Sequence, residues 1–125
     1  MVLGIGIDII EISRVKESIE NFGDRFLNKV YTENELNYCL SKMNKYQHLA
    51  ARFAAKEAVY KALSTGWKEE LSWHNIEIFN ESSGMPFAKL HGKLESFLKD
   101  EKELKISISH SKDYVACVAI IYKNS

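Results

Sequence analysis

Three charged side chains in this sequence stand where a charge needs a reason. Asp8 interrupts the apolar run Val2 to Ile10, between Ile7 and Ile9. An ionised carboxylate in such a strand is costly unless it meets a cation, a metal or strong donors. Two readings fit it: a strand-end residue capping a turn, or a metal ligand held on a rigid strand. Glu57 and Lys61 lie four apart in an Ala-rich stretch, in the order of an exposed helical ion pair worth about 0.2–0.5 kcal/mol. A second reading starts from Phe53, four before Glu57, which makes that face begin apolar. Between Lys42 and Lys68 there are six basic residues, and Glu57 is the one acid. One carboxylate in a basic setting suits a polyphosphate bound through both cations and a bridging magnesium ion. Magnesium takes one or two protein carboxylates and fills its octahedron with water and phosphate oxygens.

Two further segments carry donors. Ser64-Thr65-Gly66 follows the Ala-rich stretch. Gly66 reads either as a left-handed helix stop or as part of a turn whose N–H groups hold phosphate oxygens. His110, between Ser109 and Ser111, reads either as a turn residue or as the centre of a phosphate cradle, since imidazole and hydroxyls all donate. A P-loop is absent, and so is the Gly-x-Ser-x-Gly elbow of a serine hydrolase. His48, His74 and His91 lack metal-ligand spacing, and Trp67 and Trp73 read as core.

The elements that must position these residues follow from periodicity. Val2–Ile10, rich in Ile and Val, is a buried strand, with Gly4 and Gly6 marking a close approach to its backbone. Ser13 is placed to cap a helix with the apolar stripe Val15, Ile19 and Phe22. Asp24 opens a short second helix carrying Phe26, Leu27 and Val30. Thr32-Glu33-Asn34-Glu35 has capping-box spacing and opens a third helix, to about Ser41. Gln47–Leu63 is the longest helix. Strands are expected at 75–79, 85–90, 105–109 and 114–122, with a turn at 80–84 and a short helix at 93–99. The pattern is α+β, a mainly antiparallel sheet packed on a long central helix and shorter ones.

The chain's 125 residues argue for one domain, 1–125. Hydrophobic residues at 46% and charged residues at 27% describe a globular chain, not a disordered one. Seventeen basic and seventeen acidic residues cancel, so net charge gives no case for nucleic acid or a membrane surface. Met1 to Ile10 lacks a basic leader and contains Asp8, which argues against a signal peptide. The apolar run 114–122 is shorter than the ~20 residues of a membrane span. Cys39 and Cys117 have no partner spacing and read as reduced core thiols of a cytoplasmic protein.

Gly4-Ile5-Gly6-Ile7-Asp8-Ile9, then Arg52-Phe53-Ala54-Ala55-Lys56-Glu57-Ala58 with Lys61-Ala62-Leu63, then Ile108-Ser109-His110-Ser111 together resemble the short phosphopantetheinyl transferases, the holo-acyl-carrier-protein synthases. The resemblance runs nearly end to end and includes Ser83-Gly84-Met85-Pro86, similar to the family's Gly-x-Pro hairpin. It implies transfer of 4′-phosphopantetheine from coenzyme A to a serine of an apo-acyl carrier protein, in fatty-acid synthesis, releasing adenosine 3′,5′-bisphosphate. By resemblance, Asp8 and Glu57 are magnesium ligands and Lys61 contacts the pyrophosphate. Arg52, Ser109, His110 and Ser111 serve the nucleotide and phosphate end, with Thr65-Gly66 in the loop beside them. Arg14 and Arg25 meet the acidic helix of the carrier. Ser64 departs from the family's usual Gly in that loop. Residues 1–40 hold four basic and seven acidic side chains, a diluted docking charge. The family's short members are homotrimers with active sites between subunits.

Two other functions use the same residues. A magnesium-dependent nucleotide hydrolase would release the bisphosphate with no carrier present. A non-catalytic coenzyme A-binding module would be indifferent to loss of Glu57.

Overall fold

The computed structural model describes residues 1–64 and 66–124. Its elements in chain order are β1 (Val2–Glu11), α1 (Ile12–Phe22), α2 (Asp24–Val30), α3 (Glu33–Leu40), α4 (Lys45–Leu63), β2 (Ile76–Asn80), β3 (Pro86–Leu90), β4 (Lys102–His110) and β5 (Tyr114–Lys123). Short 3-10 turns at Trp73–Asn75 and Gly92–Ser96 flank the β2–β3 hairpin. The α+β architecture is as expected, but the strands form two sheets. One is three-stranded and antiparallel in the order β1-β5-β4; the other is the β2–β3 hairpin alone.

The larger sheet has one face against α4. Gly4, Gly6 and Asp8 of β1 point inward with Val115, Cys117, Ala119 and Ile121 of β5, while Ile5, Ile7 and Ile9 point out. On α4, Ala54, Ala55, Ala58, Val59 and Ala62 are buried in return. Small residues let the helix settle close. A Cβ built on Gly6 would stand 1.9 Å from the Ala58 carbonyl oxygen and 2.8 Å from the Ala62 nitrogen, so only glycine fits there. Cys39 and Cys117 are free and buried. Burial pushes their thiols up to about 11 and about 12, which makes them poor nucleophiles.

Local signals held in some places and failed in others. Thr32 caps α3, its side chain accepting from Glu35 N–H while Glu35 accepts from Thr32 N–H. Ser13 does not cap α1. The helix already starts at Ile12, whose N–H is taken by the Asp113 carbonyl at 2.8 Å in the β4–β5 turn. Phe22 is 58% exposed rather than core, because the last turn of α1 outruns the surface that covers Val15 and Ile19. Gly66 is not a left-handed stop, since the positive-φ glycines are 23, 84 and 92. Instead Gly66 and Trp67 both donate to the Leu63 carbonyl, at 2.9 and 2.8 Å. The helix expected at 93–99 is the shorter turn Gly92–Ser96, cut off where Asp100 and Glu101, both at positive φ, reverse the chain into β4.

Candidate active site

Close packing of α4 on β1 brings the three suspect charges together. Lys61, near the end of α4, donates from Nζ to Asp8 Oδ1 at 3.1 Å and to the Ile7 carbonyl at 3.0 Å. Glu57, one turn earlier on the same helix face, lines with Asp8 a cleft of about 350 Å³ that also takes in Ile9, Arg14, Phe53 and Tyr114. Burial pushes the Glu57 carboxyl above the ordinary glutamate range, and the Asp8 charge raises it further against the pull of Lys61. A part-buried carboxyl raised further by a neighbouring carboxylate, beside one half-exposed ammonium, forms a site with an unmet demand for positive charge. Among the described residues no three His, Cys, Asp or Glu side chains converge as a ready metal cage. The donor set therefore suits a hard cation content with two protein carboxylates and further oxygens from a ligand.

A second basic cluster surrounds the first turns of α4. Arg52 is buried, donates from Nη2 to Asn80 Oδ1 at 2.8 Å and stacks over the Tyr38 ring at 4.2 Å. Its Nε is buried without a hydrogen-bond partner. Lys42 lies over the same ring at 4.6 Å, and His48 meets it edge-on at 5.6 Å. Burial, then Arg52, Lys42 and His110, hold the His48 imidazole below its usual range. His110 Nδ1 lies 2.6 Å from Gln47 Nε2. Ser109 and His110 leave β4 on opposite faces, and Ser111 Oγ accepts the Tyr114 N–H at 3.3 Å, so the three do not make one cradle within the chain. Glu57 and Arg52 leave α4 about 140° apart, and Gln47 and Lys61 are separated by about 21 Å of helix. The two clusters do not meet inside one chain.

Gly66 stands exposed just past α4, and Thr65 lies outside the described residues. Arg14 borders both the Asp8–Glu57 cleft and a shallow groove with Glu17, Ser18, Asn21 and Phe22. Arg25 borders the next groove, with Phe22, Phe26 and Lys29.

The model of the 4′-phosphopantetheinyl transferase superfamily matches residues 4–119. The chain belongs to this superfamily. Its relatives include the holo-[acyl-carrier-protein] synthase of Protochlamydia amoebophila, 48% identical over 120 residues that cover 96% of this chain and 98% of the relative. The fold is similar to the crystal structure of the Neisseria meningitidis synthase, with a TM-score of 0.88, 31% identity, and coverage of 98% of this chain and 100% of that one. It is similar too to the Helicobacter pylori synthase in complex with coenzyme A, with a TM-score of 0.80, 31% identity, and coverage of 94% and 99%.

In this member of the superfamily, periodicity and spacing missed one charged pair altogether. Lys56, next to Glu57, stands in the sequence as one of six basic residues around Glu57, yet both it and Glu35 are 1% exposed. Lys56 Nζ lies 2.6 Å from Glu35 Oε1. The Thr32-x-x-Glu35 box showed Glu35 as a capping residue, but nothing local pairs it with a lysine twenty-one positions on.

Proposed function

We propose that this chain transfers the 4′-phosphopantetheine group of coenzyme A to a serine hydroxyl of an apo-acyl carrier protein in fatty-acid synthesis, in the cytoplasm, with magnesium. The observation that carries the reading is that the Gly6 contact brings Asp8 and Glu57 to one cleft, with Lys61 bonded to Asp8. Asp8 and Glu57 hold the ion. Bound there, a divalent cation neutralises the diphosphate and polarises the attacked phosphorus. Phosphoryl transfer at a pyrophosphate needs positioning and charge neutralisation more than covalent chemistry. Lys61, fixed by the Ile7 carbonyl and Asp8, presents its ammonium to the phosphates. The bond from phosphorus to the bridging oxygen breaks as the serine oxygen bonds to phosphorus; adenosine 3′,5′-bisphosphate leaves, and the serine proton is released to water.

Arg52 and His110 serve the nucleotide end, where the unpartnered Arg52 Nε offers a buried donor to an anion. Gly66, just past α4, borders the phosphates. Ser109 leaves β4 on the face opposite His110, and Ser111 lies in the turn that follows.

A homotrimer with sites between subunits reconciles the two separated clusters. Ile5, Ile7 and Ile9 are 63%, 67% and 66% exposed and form an apolar stripe on the outer face of β1. Such a stripe, beside Ala116, Val118 and Ile120 by register, supports burial against another copy. Arg14 and Arg25, flanking Phe22, receive the acidic carrier next to the cleft. Among the described residues no helix is long and apolar enough to cross a membrane.

The test is intact-mass analysis of an apo-carrier incubated with coenzyme A and magnesium. One added phosphopantetheine per carrier is expected. Bisphosphate released at the same rate without carrier would instead support the hydrolase reading.

A further inference from the structure

We infer that Lys56 is a positioning residue: pinned to Glu35, Val30 and Trp73, it sets the rotation of α4 about its axis and so aims Glu57 at Asp8. The inference rests on the reading of Glu57 as a metal ligand.

All three protons of the Lys56 ammonium are spent on different segments. It donates to Glu35 Oε1 of α3 at 2.6 Å, to the Val30 carbonyl at the end of α2 at 2.7 Å, and to the Trp73 carbonyl at 3.2 Å. Glu35 is equally committed, accepting from Thr32 N–H and from Ile78 N–H of β2, each at 2.8 Å. Elsewhere α4 is held by single bonds, Arg52 to Asn80 and Tyr31 Oη to the Leu49 carbonyl, and by the exposed Lys61 ammonium on Ile7 and Asp8. Where α4 meets β1, Ala58 and Ala62 lie on Gly6, which permits close approach but offers few knobs to resist rotation. Directional bonds must supply that resistance, and Lys56 has the most buried set on the helix.

Lys56 and Glu57 are consecutive, so their side chains leave the axis about 100° apart and turn together. A rotation of about 10° moves a carboxylate about 6 Å from the axis by about 1 Å, enough to spoil two-ligand coordination. The same ammonium reaches the cleft by a second route. It holds the Trp73 carbonyl; the Trp73 ring packs on Phe53 at 5.0 Å; Phe53 lines the cleft with Glu57. Lys56 and Glu35 are each buried at 1% exposure. A buried pair of this kind is seldom the most stable filling for its space, which makes retention for geometry the better account.

The test uses Lys56→Met together with Glu35→Gln, so that no carboxylate is left buried without its cation. Expected are an unfolding midpoint near wild type, kcat at saturating magnesium lowered at least about tenfold, KM for coenzyme A within about threefold, and Mn2+ affinity, read by electron paramagnetic resonance, lowered about fivefold. Wild-type kcat and Mn2+ affinity in this folded variant would overturn the inference. If it does not fold, Lys56→Arg keeps charge and donors while its longer fork turns the helix. The same losses are expected there, and wild-type values would overturn the inference equally. Glu57→Gln, measured alongside, separates the two readings. Turnover retained in Glu57→Gln refutes the metal-ligand reading. Glu57→Gln inactive with normal Lys56 variants refutes only the positioning role.

Discussion

The backbone of Ala58 lies so close to Gly6 that a methyl group on the glycine would overlap the Ala58 carbonyl oxygen at 1.9 Å. Asp8 is two residues further along β1, and Glu57 and Lys61 flank Ala58 on α4. One steric fact therefore sets both the packing of the domain and the spacing of its charges.

Gly6→Ala is expected to force α4 off β1. Overpacking against backbone costs about 1–3 kcal/mol or more, and the unfolding midpoint should fall by about 5 °C or more in calorimetry. Turnover should fall with it, since Lys61 loses its reach to Asp8. A stable, fully active Gly6→Ala variant would show that the contact does not position the site.

The raised Glu57 carboxyl has a consequence for stability. Its folded pKa lies above its unfolded one, so the fold loses stability as pH rises from the unfolded value through the folded one. Above that window the whole penalty is present. In chelator-treated protein, Glu57→Gln should therefore raise the unfolding midpoint at pH 8, and the gain should vanish below about pH 4, where both states are protonated. Asp8→Asn should draw the Glu57 titration, followed by carbon NMR, back toward the ordinary range. No movement would mean that Asp8 and Glu57 are uncoupled.

Much of this site was legible because its signals are local. Asp8 in an apolar strand, Gly6 two residues before it, and the Glu57–Lys61 spacing are all readable along the chain, and the long helix differs from expectation only by starting at Lys45. What was not legible depends on partners distant in sequence. Phe22 follows the apolar period of α1, yet it is exposed, since the period along one helix does not say how far the covering surface reaches. Nothing along the chain sets Lys56 apart from the exposed Lys42, Lys45 and Lys61 until Glu35, Val30 and Trp73 are folded around it. Likewise Ser109 and His110 are adjacent in the sequence, but the pleat of β4 sends them apart.

Ile7→Glu places a charge in the outer stripe of β1 without touching α4. It should leave the monomer folded, by circular dichroism, and reduce the mass in light scattering from trimer to monomer. Turnover should drop by at least about 100-fold, because in the proposed trimer the Arg52–His110 cluster completes a neighbour's Asp8–Glu57 site. A monomeric variant with full turnover would refute a site shared between subunits.

Arg14→Glu, at the rim of the cleft, should raise KM for an acidic carrier about tenfold and leave KM for coenzyme A within about twofold, with a weaker salt dependence than wild type. Equal effects on both substrates would remove Arg14 from carrier docking.

The most direct measurement is anomalous diffraction from crystals grown with Mn2+ and coenzyme A. A single peak within ~2.3 Å of carboxylate oxygens from both Asp8 and Glu57 is expected, with diphosphate oxygens completing the shell. A fully occupied coenzyme A with no peak touching both side chains would contradict the shared ion on which the proposed chemistry depends.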